Sequence, residues 1–201
     1  MSDFQDDVSG SQASRLTPGA KKVLAAAWRL FYEHGIHAVG VEAIATEAGV
    51  TKKTLYDQFG SKDDLVVAYL RARDEQWRGD VRSQLTRSDA SVEQRLLSMF
   101  DVLQLWVDQG STGGCAFSRA VAELPRDHPG HEVATAHKRW LLQRLKDVAD
   151  EADLIDPTLV AEQVFLLHEG AYSAIPERVM EFPVAAAKRA AQAVIREASR
   201  A

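Results

Sequence analysis

Cysteine is nearly missing. Cys115 is the only one in 201 residues, so no internal disulfide forms and no multi-cysteine zinc cluster assembles. No run approaches the roughly 18 consecutive apolar residues of a membrane span. Residues 1–14 carry Asp3, Asp6 and Asp7 and lack an apolar core, so they read as an acidic, disordered tail and not as a secretory signal. A cytoplasmic protein with no membrane partner is expected. The chain has no glycine-rich phosphate loop, no strand–turn–helix nucleophile elbow and no HExxH. Ser118, or Cys115 beside His137, is therefore a nucleophile in name alone, and a hydrolase is a remote alternative. No enzyme activity and no cofactor are expected. Period-2 alternation bounded by hairpin turns is also missing, which leaves an all-α fold.

Positive charge is in deficit overall, with 24 Lys and Arg against 29 Asp and Glu, a net charge of −5. Taken alone, that argues against a nucleic-acid partner. The distribution reverses the inference: residues 15–73 hold nine bases against six acids, and residues 74–201 hold 15 against 20. A mildly basic N-terminal module precedes an acidic body, an asymmetry that points toward nucleic acid. Helix signals run throughout. Thr17-Pro18 is an N-cap with proline in the first turn, and Gly35 ends that helix. Short helices fit Val41 to Ala48 and Lys52 to Phe59, the second capped by Thr51. Ser61 opens a long helix past Trp77, and Ser91 opens another. Residues 110–114 read as a loop, followed by helices over 115–124, 131–152, 157–175 and 183–199.

The two short helices flank Gly49-Val50, the arrangement of a helix-turn-helix. Ile44, Ala45 and Ala48 face inward on the first, where the alanines permit close approach. Val50, Leu55 and Phe59 plug the junction. Thr51, Lys52, Lys53, Thr54, Tyr56 and Asp57 are left outward on the second helix. Short hydroxyls, cations and a phenol suit phosphates and base edges in a major groove. An ordinary solvated amphipathic helix has the same composition, so residue chemistry leaves both readings open.

The order of residues goes further. Phe31-Tyr-Glu-His-Gly35 is followed by Ile44-Ala-Thr-Glu-Ala-Gly-Val50. Then comes Thr51-Lys-Lys-Thr-Leu-Tyr-Asp-Gln-Phe-Gly-Ser-Lys-Asp-Asp-Leu65. Over about residues 18–70 this resembles, without a gap, the DNA-binding domain of the TetR family of transcriptional regulators. The resemblance implies a three-helix DNA-binding domain over 15–62 and a helical effector-binding and dimerisation domain over 63–201. It implies that Thr51 caps the recognition helix and touches phosphate, and that Tyr56 and Lys62 clamp the backbone on either side. Lys52, Lys53 and Thr54 are the implied base readers; lysine donates to guanine O6 or N7, so a G in each half-site is expected. Where the family often has Thr or Ser, this chain has Val39, and the backbone N–H of Gly40 is the expected substitute.

The resemblance also implies double-stranded operator DNA, a small-molecule effector and a second copy of the chain as partners. A homodimeric repressor, released from a palindromic operator by a small, partly apolar molecule, is the expected function. The last two helices carry many alanines, with Ala190 and Ala191 as candidate contacts of a four-helix interface. Trp106, Phe117, Trp140, Phe165 and Tyr172 are candidate walls of an effector pocket, with Glu123, His137 and His168 as its polar groups. For any single one of these residues a plain core is the better reading. Residues Gly114 to Glu123 and His128 to Lys138 resemble the C-terminal domain of one TetR subgroup. A metal-responsive repressor is an alternative, drawing on Cys115, Glu123, His128, His131, His137 and His168. The Pro-Gly between His128 and His131 makes a turn that does not present both rings on one helix face, and no metal site is expected. A constitutive repressor of the same fold is the other alternative.

Overall fold

Thr17 starts the first helix by accepting the Ala20 N–H at 3.1 Å, with Pro18 in the first turn where no N–H is needed. A computed structural model describes residues 16–199, so the expected acidic tail, residues 1–14, lies outside the described residues. Among those described there are nine α-helices and no strand. They are α1 (Pro18–His34), α2 (Val41–Ala48), α3 (Lys52–Phe59), α4 (Lys62–Leu85), α5 (Val92–Asp108), α6 (Ala116–Glu123), α7 (Gly130–Ala149), α8 (Pro157–Glu177) and α9 (Pro183–Ala198). The all-α expectation holds. α7 stops three residues short of its expected end because the backbone tightens, with Glu151 and Ala152 bonding carbonyls three residues back. Ser91 forms a full capping box with Gln94. Ser61 caps the Asp64 N–H of α4, and its hydroxyl donates to the Asp64 carboxylate.

The chain divides into two compact units. Among the described residues, one holds 16–77 together with Ala116–His137; the other holds Arg78–Cys115 and 138–199. The unit containing the helix-turn-helix thus extends past the expected boundary at residue 62. The physical reason lies in what α1 packs against. Val23, Ala27 and Phe31 of α1 are buried, and Leu65, Tyr69 and Leu70 of α4 are buried with them. Phe31 and Trp28 each meet the Tyr69 ring edge-on, with centroids 5.5 Å and 6.0 Å away. Arg73 is 2% exposed, and its guanidinium lies 4.5 Å from the ring centroids of both Trp28 and Tyr32. A buried cation between two aromatic faces fastens α4 to α1. Burial pushes the Tyr69 hydroxyl up to about 12, against the opposing pull of Arg73.

In the second unit, α5, α8 and α9 share a core of Leu96, Met99, Phe100, Leu103, Val160, Val164, Val184 and Ile195. Surface ion pairs stitch α9 to α5: Lys188 to Asp101 at 2.5 Å and Arg196 to Glu93 at 3.2 Å. The outer face of α8 exposes Leu159 and Leu166, two turns apart and 47% and 66% accessible, and the following segment exposes Val179, Met180 and Phe182. Along α9, Ala186, Ala190 and Ala193 face outward, whereas Ala191 is wholly buried in its own protomer. Of the two alanines expected to meet a second copy, Ala190 alone is available.

The aromatic clamp on Arg73 carries a prediction. Arg73→Ala should lower unfolding free energy by more than ~2 kcal/mol, the scale of a desolvated cation–π contact. Arg73→Lys should recover little of it, because a compact ammonium cannot lie flat between two rings. Urea unfolding measures both, and a lysine variant as stable as the parent would refute the clamp.

Candidate nucleic-acid interface

The turn between α2 and α3 is set by Gly49, whose φ of 64° is left-handed and unstrained only for glycine. Its N–H closes α2 on Ala45 O and Thr46 O. Thr51 then caps α3 by accepting the Thr54 N–H at 3.1 Å. Leu55 is the one fully buried residue of α3, and Ile44, Ala45 and Ala48 of α2 are buried with it. The opposite face is left to solvent: Thr51, Lys52, Lys53, Tyr56 and Asp57 are exposed, and Thr54 is half-buried. Tyr56 is 44% accessible. Val39 is buried, so the place of the missing hydroxyl belongs to the core, while the adjoining Gly40 is exposed in extended backbone just before α2.

This face is not a bare cationic surface. Lys52 pairs with Glu42 across the two helices, Lys53 Nζ meets Asp57 Oδ2 at 2.7 Å one turn on, and Arg29 pairs with Glu47. The hydrogen bond and charge of Lys52 hold the Glu42 carboxyl below its ordinary range. Each base therefore carries an acid that an approaching phosphate must displace. Exposed pairs are weak and screened by solvent, so the exchange is cheap.

Lys62, expected to clamp phosphate, is engaged within the chain. Its Nζ donates to Ile36 O at 2.8 Å and sits 6.0 Å from the Phe31 ring centroid. Burial lowers its pKa, partly offset by Asp63 and Glu123. Glu123, expected in an effector pocket, instead accepts from the His37 N–H at 3.0 Å. Beside it, Arg119 donates to Tyr32 O at 2.7 Å. Sequence reasoning missed Arg119; no local pattern ties a side chain to a carbonyl 87 residues away. A cavity of about 10 Å³, room for one water, lies among Phe31, Tyr69, Ala116, Arg119 and Glu123.

The eight candidate effector residues divide between the two units. Phe117 and His137 stack in the first, with ring centroids 3.7 Å apart, and His137 Nδ1 lies 2.8 Å from Asp74 Oδ1. In the second, Trp106 donates to Asp80 at 2.8 Å, and Trp140 lies under Arg78 and Arg82 at 4.9 Å and 5.9 Å. Phe165 is half-buried. His168 is 1% exposed, edge-on to Phe100 and Tyr172. It adjoins a polar chain in which Lys138 pairs with Glu169 and donates to Cys115 Sγ at 3.3 Å. Burial pushes the Glu169 carboxyl up, but the His168 hydrogen bond and the Lys138 charge outweigh it and hold it down to about 2. Of the metal-ligand candidates, His128 Nδ1 accepts the Gly130 N–H at 2.9 Å, and His131 Nε2 meets Leu124 O at 3.3 Å. Among the described residues no three His, Cys, Asp or Glu side chains gather to hold a metal ion. No helix among them is long and apolar enough to cross a membrane.

Residues 23–69 match the family model described as bacterial regulatory proteins, tetR family. The crystal structure of SCO4454, a TetR-family transcriptional regulator from Streptomyces coelicolor, is 30% identical with a TM-score of 0.88, and 96% of each chain is covered. The HTH-type transcriptional regulator YjdC of Escherichia coli is 26% identical over 87% of this chain and 92% of its own length. The HTH-type transcriptional activator FasR of Mycolicibacterium smegmatis is 34% identical over 92 residues; the match spans 46% of this chain and 42% of FasR.

The buried histidine makes a prediction about acid stability. Burial lowers the His168 pKa from its ordinary 6.5, so below that value the unfolded chain binds the extra proton and stability falls with pH. Glu169 acts in a more acidic window: its contribution is full above 4.5 and disappears as pH falls toward about 2. The melting temperature should therefore drop between about pH 7.5 and 5.5, and less steeply in His168→Gln. Parallel curves for the two proteins would show that His168 does not set the slope.

Proposed function

The chain belongs to the TetR family of DNA-binding transcriptional regulators, and from that premise we propose that it acts as a homodimeric repressor on a palindromic operator. The observation that carries the reading is the outward face of α3, which keeps Thr51, Lys52, Lys53 and Tyr56 exposed while Leu55 anchors the helix. Thr51, Tyr56 and the Gly40 backbone N–H meet phosphate and fix register. Lys52, Lys53 and Thr54 meet base edges, with guanine as the partner of lysine. Two α3 helices, one per protomer, enter successive major grooves.

The dimer forms through α8 and α9. Leu159 and Leu166 are large apolar residues left in solvent on one helix face, next to the small outward residues Ala186, Ala190 and Ala193 of α9. Small residues let helices approach closely, and a self-complementary apolar patch suits an isologous contact. The effector is a small, partly apolar molecule that meets Phe165, His168 and Tyr172 in the second unit. It favours a dimer in which the recognition helices no longer match the groove spacing, and its coupling energy is its preference for that state. Reporter transcription from the target promoter tests the sign: it rises without the chain for a repressor and falls for an activator.

Lys53→Ala should cost ~1–3 kcal/mol on an operator duplex selected from a random pool and much less on random DNA. Equal losses on both would move Lys53 from base reader to phosphate contact. Leu166→Glu should turn a dimer into a 22.2 kDa monomer at micromolar concentration in light scattering. A variant that stays dimeric would place the interface elsewhere.

A further inference from the structure

The peptide group joining Ile36 to His37 is held from both sides by opposite charges. Lys62, the first residue of α4, donates to its oxygen at 2.8 Å, and Glu123, the last residue of α6, accepts from its N–H at 3.0 Å. A peptide dipole has its negative end at oxygen and its positive end at N–H. An ammonium at one end and a carboxylate at the other therefore stabilise the same orientation of that one peptide plane. One turn earlier, Arg119 takes Tyr32 O, a carbonyl of the last turn of α1 that the helix leaves without an internal donor. Gly35 lies between these contacts with φ 88°, and a Cβ there would come within 3.0 Å and 3.1 Å of the Glu123 carboxylate oxygens. The carboxylate is seated directly on backbone.

The segment so held is short. His37 precedes α2 by four positions, with Val39 buried between them, and α2 carries the buried face against which α3 is set. We infer that Lys62 and Glu123 are positioning residues for DNA binding, which hold the α1–α2 turn and through it the recognition helix, and that Lys62 is not a phosphate contact in this chain. The inference rests on the DNA-binding reading above. A Lys62 ammonium that swung away from Ile36 toward phosphate would take this donor from the Ile36 carbonyl and leave Glu123 without its opposing charge. The two residues thus act as one device, and removing either disables it.

The test uses the full chain, a duplex selected from a random pool with the parent protein, and four variants: Lys62→Met, Glu123→Ala, their combination, and Glu123→Gln. Methionine keeps an unbranched stem beside Phe31; glutamine keeps an acceptor for His37. Binding is followed by fluorescence anisotropy over a range of salt concentrations, and the His37 amide by hydrogen exchange. Lys62→Met and Glu123→Ala should each weaken binding roughly tenfold, the scale of one charge-assisted hydrogen bond. The double variant should be no worse than either single one. The slope of log affinity against log salt should not change, His37 should lose protection in both singles, and Glu123→Gln should retain most of the binding. A slope flattened by about 2 in the Lys62→Met dimer, with Glu123→Ala binding normally, would make Lys62 a phosphate contact and overturn the inference. Should the parent enrich no duplex, the operator reading fails separately. His37 exchange then decides the clamp, and unchanged protection in both variants overturns it.

Discussion

Leu55 is the point on which the DNA-facing surface hangs. α3 has eight residues, too few to be a stable helix alone, and Leu55 is its one fully buried side chain. Everything that aims Lys52, Lys53 and Tyr56 outward must therefore act by keeping Leu55 seated. The Thr51 cap defines where the helix begins, Gly49 reverses the chain in a left-handed turn, and the alanines of α2 allow the approach. α1 packs against both short helices, and its own far end is fixed to α4 by the Arg73 clamp. Small displacements of the α1–α2 turn are thus displacements of the recognition surface, since no second buried residue on α3 absorbs them.

Local chemistry makes much of this legible in the sequence. Caps at Thr17, Thr51, Ser61 and Ser91 all fall where a hydroxyl precedes an apolar period, and each accepts the backbone N–H expected of it. The burial of Ile44, Ala45, Ala48 and Leu55 follows from spacing alone. What stayed illegible is long-range and polar. Lys62 sits at the position where the family resemblance implies a phosphate contact, and one of its three N–H donors reaches a carbonyl 26 residues earlier. Glu123 lies on an otherwise apolar face and so resembled a ligand group, although its partner is a backbone N–H. Aromatic and histidine candidates for the effector pocket were ambiguous for a related reason: apolar spacing reports burial and does not tell a pocket wall from a packed core. The extent of the first unit escaped too, because Arg119 and Glu123 join it through hydrogen bonds that periodicity does not record.

Charge explains why the proposed DNA-binding mode calls for two copies of this surface. The outward lysines hold Glu42 and Asp57, so the free face is close to neutral despite its cations. Trading those acids for phosphate is nearly free energetically, because exposed pairs contribute little, but the displaced carboxylates stay close and repel the same phosphates. Affinity of one module for arbitrary DNA is thereby held down, while a lysine that meets guanine gains a directed hydrogen bond that phosphate alone does not give. In the proposed homodimer, doubling the module through α8 and α9 would restore affinity where both half-sites are correct and add much less where they are not. On the proposed reading, specificity would then arise from pairing an almost neutral reading face with a two-fold partner, and the net negative charge of residues 74–201 would add to it by repelling DNA elsewhere on the molecule.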